Sequence, residues 1–194
     1  MSLSIKAYKR IVFVLALLPL VIFFAQLFRT GGGPDPGKDL VLFTGEWTIR
    51  FLLLTLAITP LRRWFKWHRL GMFRRMLGLY TGFYATLHFL AVMTYFVGWN
   101  WSRFVEEFQD RPYMSVGIIA WVMLIPLIIT SNRWAIRQMG PRWQTLHRLV
   151  YPIVILGCIH VVWLVRANYA EALFYAATAA ILLVTRLLHL QRAA

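Results

Sequence analysis

Two histidines inside apolar segments are the residues of this 194-residue chain best placed to do chemistry. His88 and His160 each lie about twelve residues into such a segment. An ionisable side chain within a membrane span is costly, so it predicts a functional site by default. The competing interpretation is a neutral histidine that bonds a neighbouring backbone carbonyl.

The pairing of these two histidines favours a haem site. If both segments cross a membrane in the same direction, a rise of about 1.5 Å per residue puts His88 and His160 at nearly the same depth. Two imidazoles facing each other at one depth are what a six-coordinate haem iron needs. The flat macrocycle also fits between the helices of a bundle. We therefore predict that His88 and His160 bind a haem iron.

His147 is a third candidate ligand. It precedes His160 by thirteen residues, which is about 20 Å along a helix and roughly 140° of rotation. A straight helix would not point both side chains inward, but Pro152 lies between them and can kink or rewind the segment. His147 is therefore expected to bind a second haem near the cytoplasmic face, or to serve the same haem region indirectly.

Other residues near these positions have weaker claims. Three arginines could pair with haem propionates, although charge at the ends of spans explains them at least as well: Arg74, Arg75 and Arg148. Small residues could let a flat ring approach the helices, although ordinary helix packing explains them better: Gly78, Gly82, Ala85 and Gly157. The remaining histidines, His68 and His189, are expected in a cytoplasmic loop and at a membrane interface.

The candidate ligands must be held by membrane-spanning helices. The chain is 60% hydrophobic and 14% charged, whereas a soluble domain is about half apolar and a quarter charged. The apolar residues fall into stretches of about twenty, the length that crosses a bilayer. We predict an all-α bundle that forms a single domain, and we detect no internal repeat. The six predicted spans cover about 10–28, 43–60, 76–98, 114–131, 149–166 and 171–189.

The distribution of charge predicts the orientation of this bundle. The two termini and the loops 61–75 and 132–148 hold 15 of the 21 Lys and Arg residues and no acid. The positive-inside rule therefore places both termini in the cytoplasm. The net charge of +14 then reflects topology and contact with anionic membrane lipids, and it does not indicate nucleic acid binding.

Other kinds of site find less support. A zinc site needs three or four ligands close together, and the spans offer only the histidines. A proton-coupled transporter would need carboxylates within the spans. Only Glu46 approaches a span, and Arg50, one helical turn later, is its expected ion-pair partner. The outer loops are expected to run over 29–43 and 99–113, and the acids of the second are either a docking patch or solvated: Glu106, Glu107 and Asp110.

Several longer segments resemble one family. They cover most of the chain from Thr44 onward: TGEWTIRFLLLTLAITPLRR at 44–63, RRMLGLYTGFYATLH at 74–88, RPYMSVG at 111–117, and WQTLHRLVY at 143–151 followed by His160. With these segments the chain resembles the MsrQ (YedZ) family of the ferric-reductase-like transmembrane group.

This resemblance implies a function. MsrQ proteins are b-type cytochromes of the bacterial inner membrane. They pass electrons from the quinone pool or a cytoplasmic flavoprotein to a periplasmic, molybdopterin-containing reductase, MsrP, which repairs methionine sulfoxide in oxidised proteins. The resemblance implies haem b bound by His88, His147 and His160, and FMN is reported for some members. Larger relatives carry two histidines on each haem helix, whereas the third span here has one. Two other functions stay open: a stand-alone ferric or cupric reductase, and a haem-free transporter or assembly factor.

Overall fold

The computed structural model describes residues 4–31 and 33–191, and these residues form helices and no strand. A 3₁₀ helix at His68–Phe73 precedes the α-helix Arg74–Val92, and a π-helical turn at Met93–Val97 extends that helix. The α-helices are α1 (Ile5–Thr30), α2 (Pro36–Trp64), α3 (Arg74–Val92), α4 (Trp101–Asp110), α5 (Pro112–Ile129), α6 (Arg133–Met139), α7 (Pro141–His147), α8 (Val150–Leu164) and α9 (Ala170–Gln191).

Among the described residues, five segments are long and apolar enough to cross a membrane. They contain most of each of the first five predicted spans: Ile5–Thr30, Pro36–Trp64, His68–Val97, Pro112–Ile129 and Pro141–Leu164. The predicted segment 171–189 corresponds to α9, a helix of 22 residues that is not one of the five. The all-α prediction is thus confirmed, and the sixth span stays a prediction.

The second helix begins seven residues before its predicted start, and local chemistry explains why. The Asp35 carboxylate accepts a hydrogen bond from the Lys38 amide at 3.0 Å and so caps the helix. Pro36 follows at the first helical position, where its missing N–H costs nothing. This first turn is polar, so an apolar-stretch criterion does not detect it.

The long helices of the bundle alternate in direction. α2 and α3 are antiparallel, because Gly45 lies beside His88 while Gly78 lies beside Thr55. α3 and α5 are also antiparallel. Gly82 at the middle of α3 meets Ile128, and Thr86, one turn later, accepts a hydrogen bond from Trp121 at 3.3 Å.

α5 and the segment α7–α8 form a second antiparallel pair. The carbonyl of Tyr113 near the start of α5 contacts His160 near the end of α8. At the opposite end of α5, the hydroxyl of Thr130 contacts His147 at 3.1 Å. The helix is interrupted at residues 148–149, so His147 and His160 do not share one straight helix. The rotation of about 140° expected for a straight helix therefore does not apply.

Polar contacts join α9 to α2 at two levels. Arg50 bonds Glu46 at 2.9 Å, which confirms the predicted ion pair. Arg50 also reaches Glu171 at 3.0 Å and the Tyr175 hydroxyl at 2.8 Å. Arg186 lies near the other end of α9, where it bonds the last turns of α2. α9 therefore packs along α2 and runs in the same direction.

The predicted outer loop 99–113 is mostly helical. Asn100 caps α4 by accepting a hydrogen bond from the Arg103 amide at 3.1 Å. The aromatic rings of Trp101 and Phe104 stack at 5.3 Å, and Phe108 continues this face of the helix. The acidic residues Glu106 and Asp110 are exposed. A short helix with one apolar and one charged face is typical of a segment that lies on a membrane surface.

Candidate functional site

His88 is held against the backbone of α2. Its Nδ1 lies 2.9 Å from the carbonyl oxygen of Val41 and 3.4 Å from the hydroxyl of Thr44. The Thr44 hydroxyl lies 2.7 Å from the Leu40 carbonyl and donates its proton there. A carbonyl oxygen can only accept, so the proton of a neutral His88 ring is on Nδ1, and Nε2 keeps its lone pair.

His160 is held in the same way against α5. Its Nδ1 lies 2.6 Å from the carbonyl oxygen of Tyr113. The same reasoning puts the proton on Nδ1 and leaves the lone pair on Nε2. A metal-bound histidine typically donates its second ring N–H to a carbonyl or carboxylate, and this bond fixes the tautomer and the ring orientation.

Each imidazole ring lies against a glycine of the helix it faces. A Cβ at Gly45 would lie 3.1 Å from Cε1 and 3.2 Å from Nδ1 of His88. A Cβ at Gly117 would lie 2.7 Å from Nδ1 and 2.9 Å from Cε1 of His160. Neither glycine leaves room for a methyl group unless a neighbouring atom shifts, and the shift required at Gly117 is the larger of the two. Each imidazole therefore reaches its carbonyl across a position that has no side chain.

The two halves of the site share one design. In each, the accepting carbonyl stands four residues before the glycine on the same helix, as Val41 and Gly45 on α2 and as Tyr113 and Gly117 on α5. Every residue of the second set, including the histidine, lies 72 positions after its counterpart in the first. No internal repeat is detected in the sequence as a whole, and the contacts in the fold are what reveal this correspondence.

The two imidazole rings meet between the helix pairs. Their centroids are 6.1 Å apart and their planes stand at 83° to each other. Both side chains are partly exposed, although each is in the middle of its segment. With metal–nitrogen bonds of about 2 Å, as for imidazole on zinc, two rings on opposite sides of one ion have centroids roughly 6 Å apart. The donor set, two neutral imidazoles with free Nε2 atoms, therefore fits a haem iron.

His147 does not join this pair. It ends α7, its Nε2 lies 3.1 Å from the Thr130 hydroxyl, and its ring stacks on Trp143 at 3.9 Å. The Thr130 hydroxyl also lies 2.6 Å from the Pro126 carbonyl, and it donates its single proton there. His147 therefore donates from Nε2, and its free lone pair is on Nδ1, unlike in the other two histidines.

The three arginines predicted near propionates are all exposed at this end of the bundle. Arg74 and Arg75 open α3, and Arg148 follows α7. Arg74 lies within electrostatic range of His147, whereas His88 comes fourteen residues later on the same helix, about 21 Å along its axis. The structure thus associates Arg74 with the third histidine and not with the pair.

Three of the four predicted small residues face side chains other than the two histidines. Gly82 faces Ile128 of α5, and a Cβ there would lie 2.5 Å from that side chain. Gly78 and Gly157 face Thr55 and Ile49 at ordinary contact distances. The glycines beside the histidines, Gly45 and Gly117, were not singled out from the sequence. The available signal was that each is an isolated glycine inside a helical segment, a position that usually has a packing reason.

His68 is exposed in the 3₁₀ helix, as expected. The side chain of His189 lies outside the part of the chain that the structure describes.

Comparisons with known proteins first define a class. The family model of the ferric reductase like transmembrane component matches residues 44–158. This range contains His88 and His147 and ends two residues before His160. Together with the helical fold, the match defines a multi-pass membrane protein of the ferric-reductase-like group. No solved structure matches the chain.

Curated relatives narrow this class. The protein-methionine-sulfoxide reductase heme-binding subunit MsrQ of Xanthomonas oryzae pv. oryzae (strain MAFF 311018) is 42% identical over 188 residues, which cover 94% of this chain and 86% of the relative. The MsrQ of Xanthomonas axonopodis pv. citri (strain 306) has the same identity and coverage, and that of Xanthomonas campestris pv. campestris (strain B100) is 41% identical. The chain therefore belongs to the MsrQ family.

Proposed function

We propose that this protein is a b-type haem electron-transfer subunit of the bacterial inner membrane, in which His88 and His160 would hold the iron of one haem. One observation carries the proposal: both imidazoles donate Nδ1–H to a helix carbonyl, and their ring centroids stand 6.1 Å apart. The names of the MsrQ relatives, which are heme-binding subunits, agree with it.

The protein's own residues prepare the ligands. The carbonyls of Val41 and Tyr113 accept the Nδ1–H hydrogen bonds, so each ring already has the tautomer that leaves Nε2 free to bind iron. Hydrogen bonds of this kind also raise the basicity of the ligating nitrogen. Bound haem would supply reversible one-electron transfer at the iron. In the low dielectric of the spans, the fixed ring positions would limit reorganisation around it.

His147 is proposed as a ligand in the cytoplasmic half, either of a second haem or at the edge of the first. Its Nδ1 is the nitrogen available for this role, because Nε2 is bonded to Thr130. Arg74, Arg75 and Arg148 are proposed as partners for propionates. The proximity of Arg74 to His147 supports a site at this end of the bundle.

The proposed pathway crosses the membrane through a single domain of six spans, with α9 as the sixth and both termini in the cytoplasm. Electrons would enter from the quinone pool or a cytoplasmic flavin reductase, with FMN as a further cofactor. They would leave to a periplasmic, molybdopterin-containing MsrP-like reductase that repairs oxidised proteins. The exposed acids of α4, Glu106 and Asp110, offer a docking surface for that partner.

A stand-alone metal-ion reductase is the second candidate, because the matching family model describes a ferric reductase like component. The two functions differ in their need for a partner. A metal-ion reductase would reduce external ferric or cupric chelates in vesicles that contain this chain alone. The proposed subunit would reduce methionine sulfoxide only when the MsrP-like reductase is added.

Absorbance spectra of purified variants test the haem proposal. We expect His88→Ala and His160→Ala to lose most or all of the Soret absorbance, and His147→Ala to lose part of it. His68→Ala is the control, because this histidine is exposed and is not a proposed haem ligand. Wild-type protein without Soret absorbance after growth with sufficient haem would refute the proposal and favour a haem-free transporter or assembly factor. Unchanged spectra in both His88→Ala and His160→Ala would refute the pairing.

A further inference from the structure

A buried guanidinium without an acidic partner among the described residues lies at the end of the bundle where α2 and α9 both finish. The Arg186 side chain is 9% exposed. It bonds the Tyr151 hydroxyl at 2.8 Å, the Leu56 carbonyl at 3.0 Å and the Thr59 hydroxyl at 3.2 Å. All three partners are neutral, so the positive charge is not compensated.

A structural role explains only part of this arrangement. Pro60 has no N–H to offer the Leu56 carbonyl, which therefore lacks its usual partner within α2. Arg186 supplies the missing hydrogen bond. A guanidinium has five N–H donors, however, and three are used here. The Nε of Arg186 is buried without a hydrogen-bond partner among the described residues.

No side-chain carboxylate of the chain can neutralise Arg186. The acid nearest in sequence on α2 is Glu46, ten residues before Leu56 or about 15 Å along the helix. Glu46 and Glu171 are both bonded to Arg50. Arg74 lies within electrostatic range of both Arg186 and Arg62. These neighbouring cations add to the positive potential around Arg186. A buried charge is normally paired, so the counter-ion is expected to come from outside the chain.

A cavity of about 370 Å³ is present at this position. Arg186, Arg63, Thr59 and Thr185 supply its polar lining. Its rim is apolar and reaches the surface through Trp64, which is 63% exposed, and Leu188, which is 52% exposed. Tryptophan is enriched where a span meets the headgroup region. The cavity thus combines a buried guanidinium with exposed apolar side chains at the end of two packed helices.

We propose that this cavity binds the phosphate group of an anionic phospholipid. A phosphate offers the acceptor oxygens and negative charge that the unused donors of Arg186 and the free side chain of Arg63 require. Basic pockets between spans bind anionic headgroups in other membrane proteins. The apolar, exposed rim favours a lipid over free phosphate, because Trp64 and Leu188 would pack along its chains.

Native mass spectrometry of the detergent-solubilised, haem-loaded full chain tests this proposal. The protein is titrated with dioleoylphosphatidylglycerol or dioleoylphosphatidylcholine. We expect phosphatidylglycerol to bind wild type about tenfold more tightly than phosphatidylcholine. Arg63→Gln should weaken phosphatidylglycerol binding about fivefold, as expected for one arginine near a headgroup. Arg186→Gln should weaken it more.

The control is Arg137→Gln, which removes one charge from an exposed position on α6 and should leave lipid binding unchanged. Arg63 is exposed, and its side chain makes no hydrogen bond or ion pair within the described chain, so its variant is expected to fold even if Arg186→Gln does not. Equal losses in Arg63→Gln and Arg137→Gln would overturn the proposal, as would equal affinity for the two lipids.

Two further experimental outcomes would assign a different ligand to the cavity. If inorganic phosphate binds the cavity and phosphatidylglycerol does not compete with it, the ligand is free phosphate, and the lipid proposal is wrong. If Arg63→Gln lowers the Soret absorbance and leaves lipid binding intact, the cavity holds a haem propionate, which also overturns it. A wild-type protein without haem would contradict the proposed function and leave the lipid titration readable.

Discussion

Each histidine of the pair depends on two features of the helix it faces, an accepting carbonyl and a missing side chain. Within a helix, the Val41 carbonyl ordinarily accepts a bond from the amide of residue 45. The His88 ring shares this acceptor at 2.9 Å, and it approaches the helix past the Cα of Gly45. The Tyr113 carbonyl and Gly117 serve His160 in the same manner. Glycine costs some helix stability at both positions, and the ring contact offsets that cost.

Alanine substitutions test this arrangement at the residue scale. In Gly117→Ala, the new methyl group would overlap the His160 ring at 2.7 Å, so we expect at least a tenfold loss of bound haem. Gly45→Ala, with its contact at 3.1 Å, should retain haem with a shifted Soret maximum or midpoint potential. Gly157→Ala is the matched control on α8, because its methyl group would make ordinary contacts at 3.5 Å.

Haem content per protein and a redox titration measure these effects, and circular dichroism establishes that each variant keeps its helices. A Gly117→Ala protein that retains full haem and an unchanged potential would show that the ring can move away at no cost. The proposed positioning role of Gly117 would then be wrong.

At the scale of elements, α9 is fixed to α2 by charge at one level and by a buried arginine at the other. Arg50 has two carboxylates and the Tyr175 hydroxyl as partners, and its guanidinium lies 5.2 Å from the Trp47 ring. About a third of the Arg50 side chain and over half of Glu171 are exposed, so the ion pairs are partly screened. The contacts of Arg50 are nevertheless the main polar link between α2 and the first turns of α9.

We expect Arg50→Gln to lower the free energy of unfolding by about 1 kcal/mol, since one arginine then loses several partly exposed partners. For a chain of this size, that change corresponds to a decrease in Tm of roughly 2–4 °C. Thermal unfolding in detergent measures it, with Arg103→Gln of the exposed face of α4 as the control. Equal Tm values for the two variants would show that the network does not fix α9 to α2.

At the scale of the whole molecule, the alternating directions of the long helices agree with a chain that crosses the membrane repeatedly. α2, α3, α5 and α8 form a connected antiparallel set, with His88 and His160 on the two helices that run in the same direction. Their common direction is what lets the two residues meet at one depth. α1 packs on α3 in parallel, with Phe13 at Tyr80 and Ala16 at Tyr84.

Labelling of single cysteines tests the proposed orientation. Cys158 is the sole cysteine, so Cys158→Ser gives a clean background. A membrane-impermeant maleimide should label Ser102→Cys on α4 in intact spheroplasts. It should label Gln138→Cys on α6 only after the membrane is opened. Both positions are exposed in the fold. The reverse pattern would place the termini outside and contradict the positive-inside prediction.

The sequence by itself determined the all-α class, the approximate positions of the first five spans and the histidines worth examining. These follow from composition and from the cost of burying an ionisable group in a span, which are local properties of the chain. The tertiary structure alone decided which side chains meet. Helix packing put Gly45 and Gly117, and not Gly78 or Gly157, beside the histidine rings. It also left Arg186 buried without an acid among the described residues. Such contacts depend on the rotation and register of separate helices, which no single segment specifies.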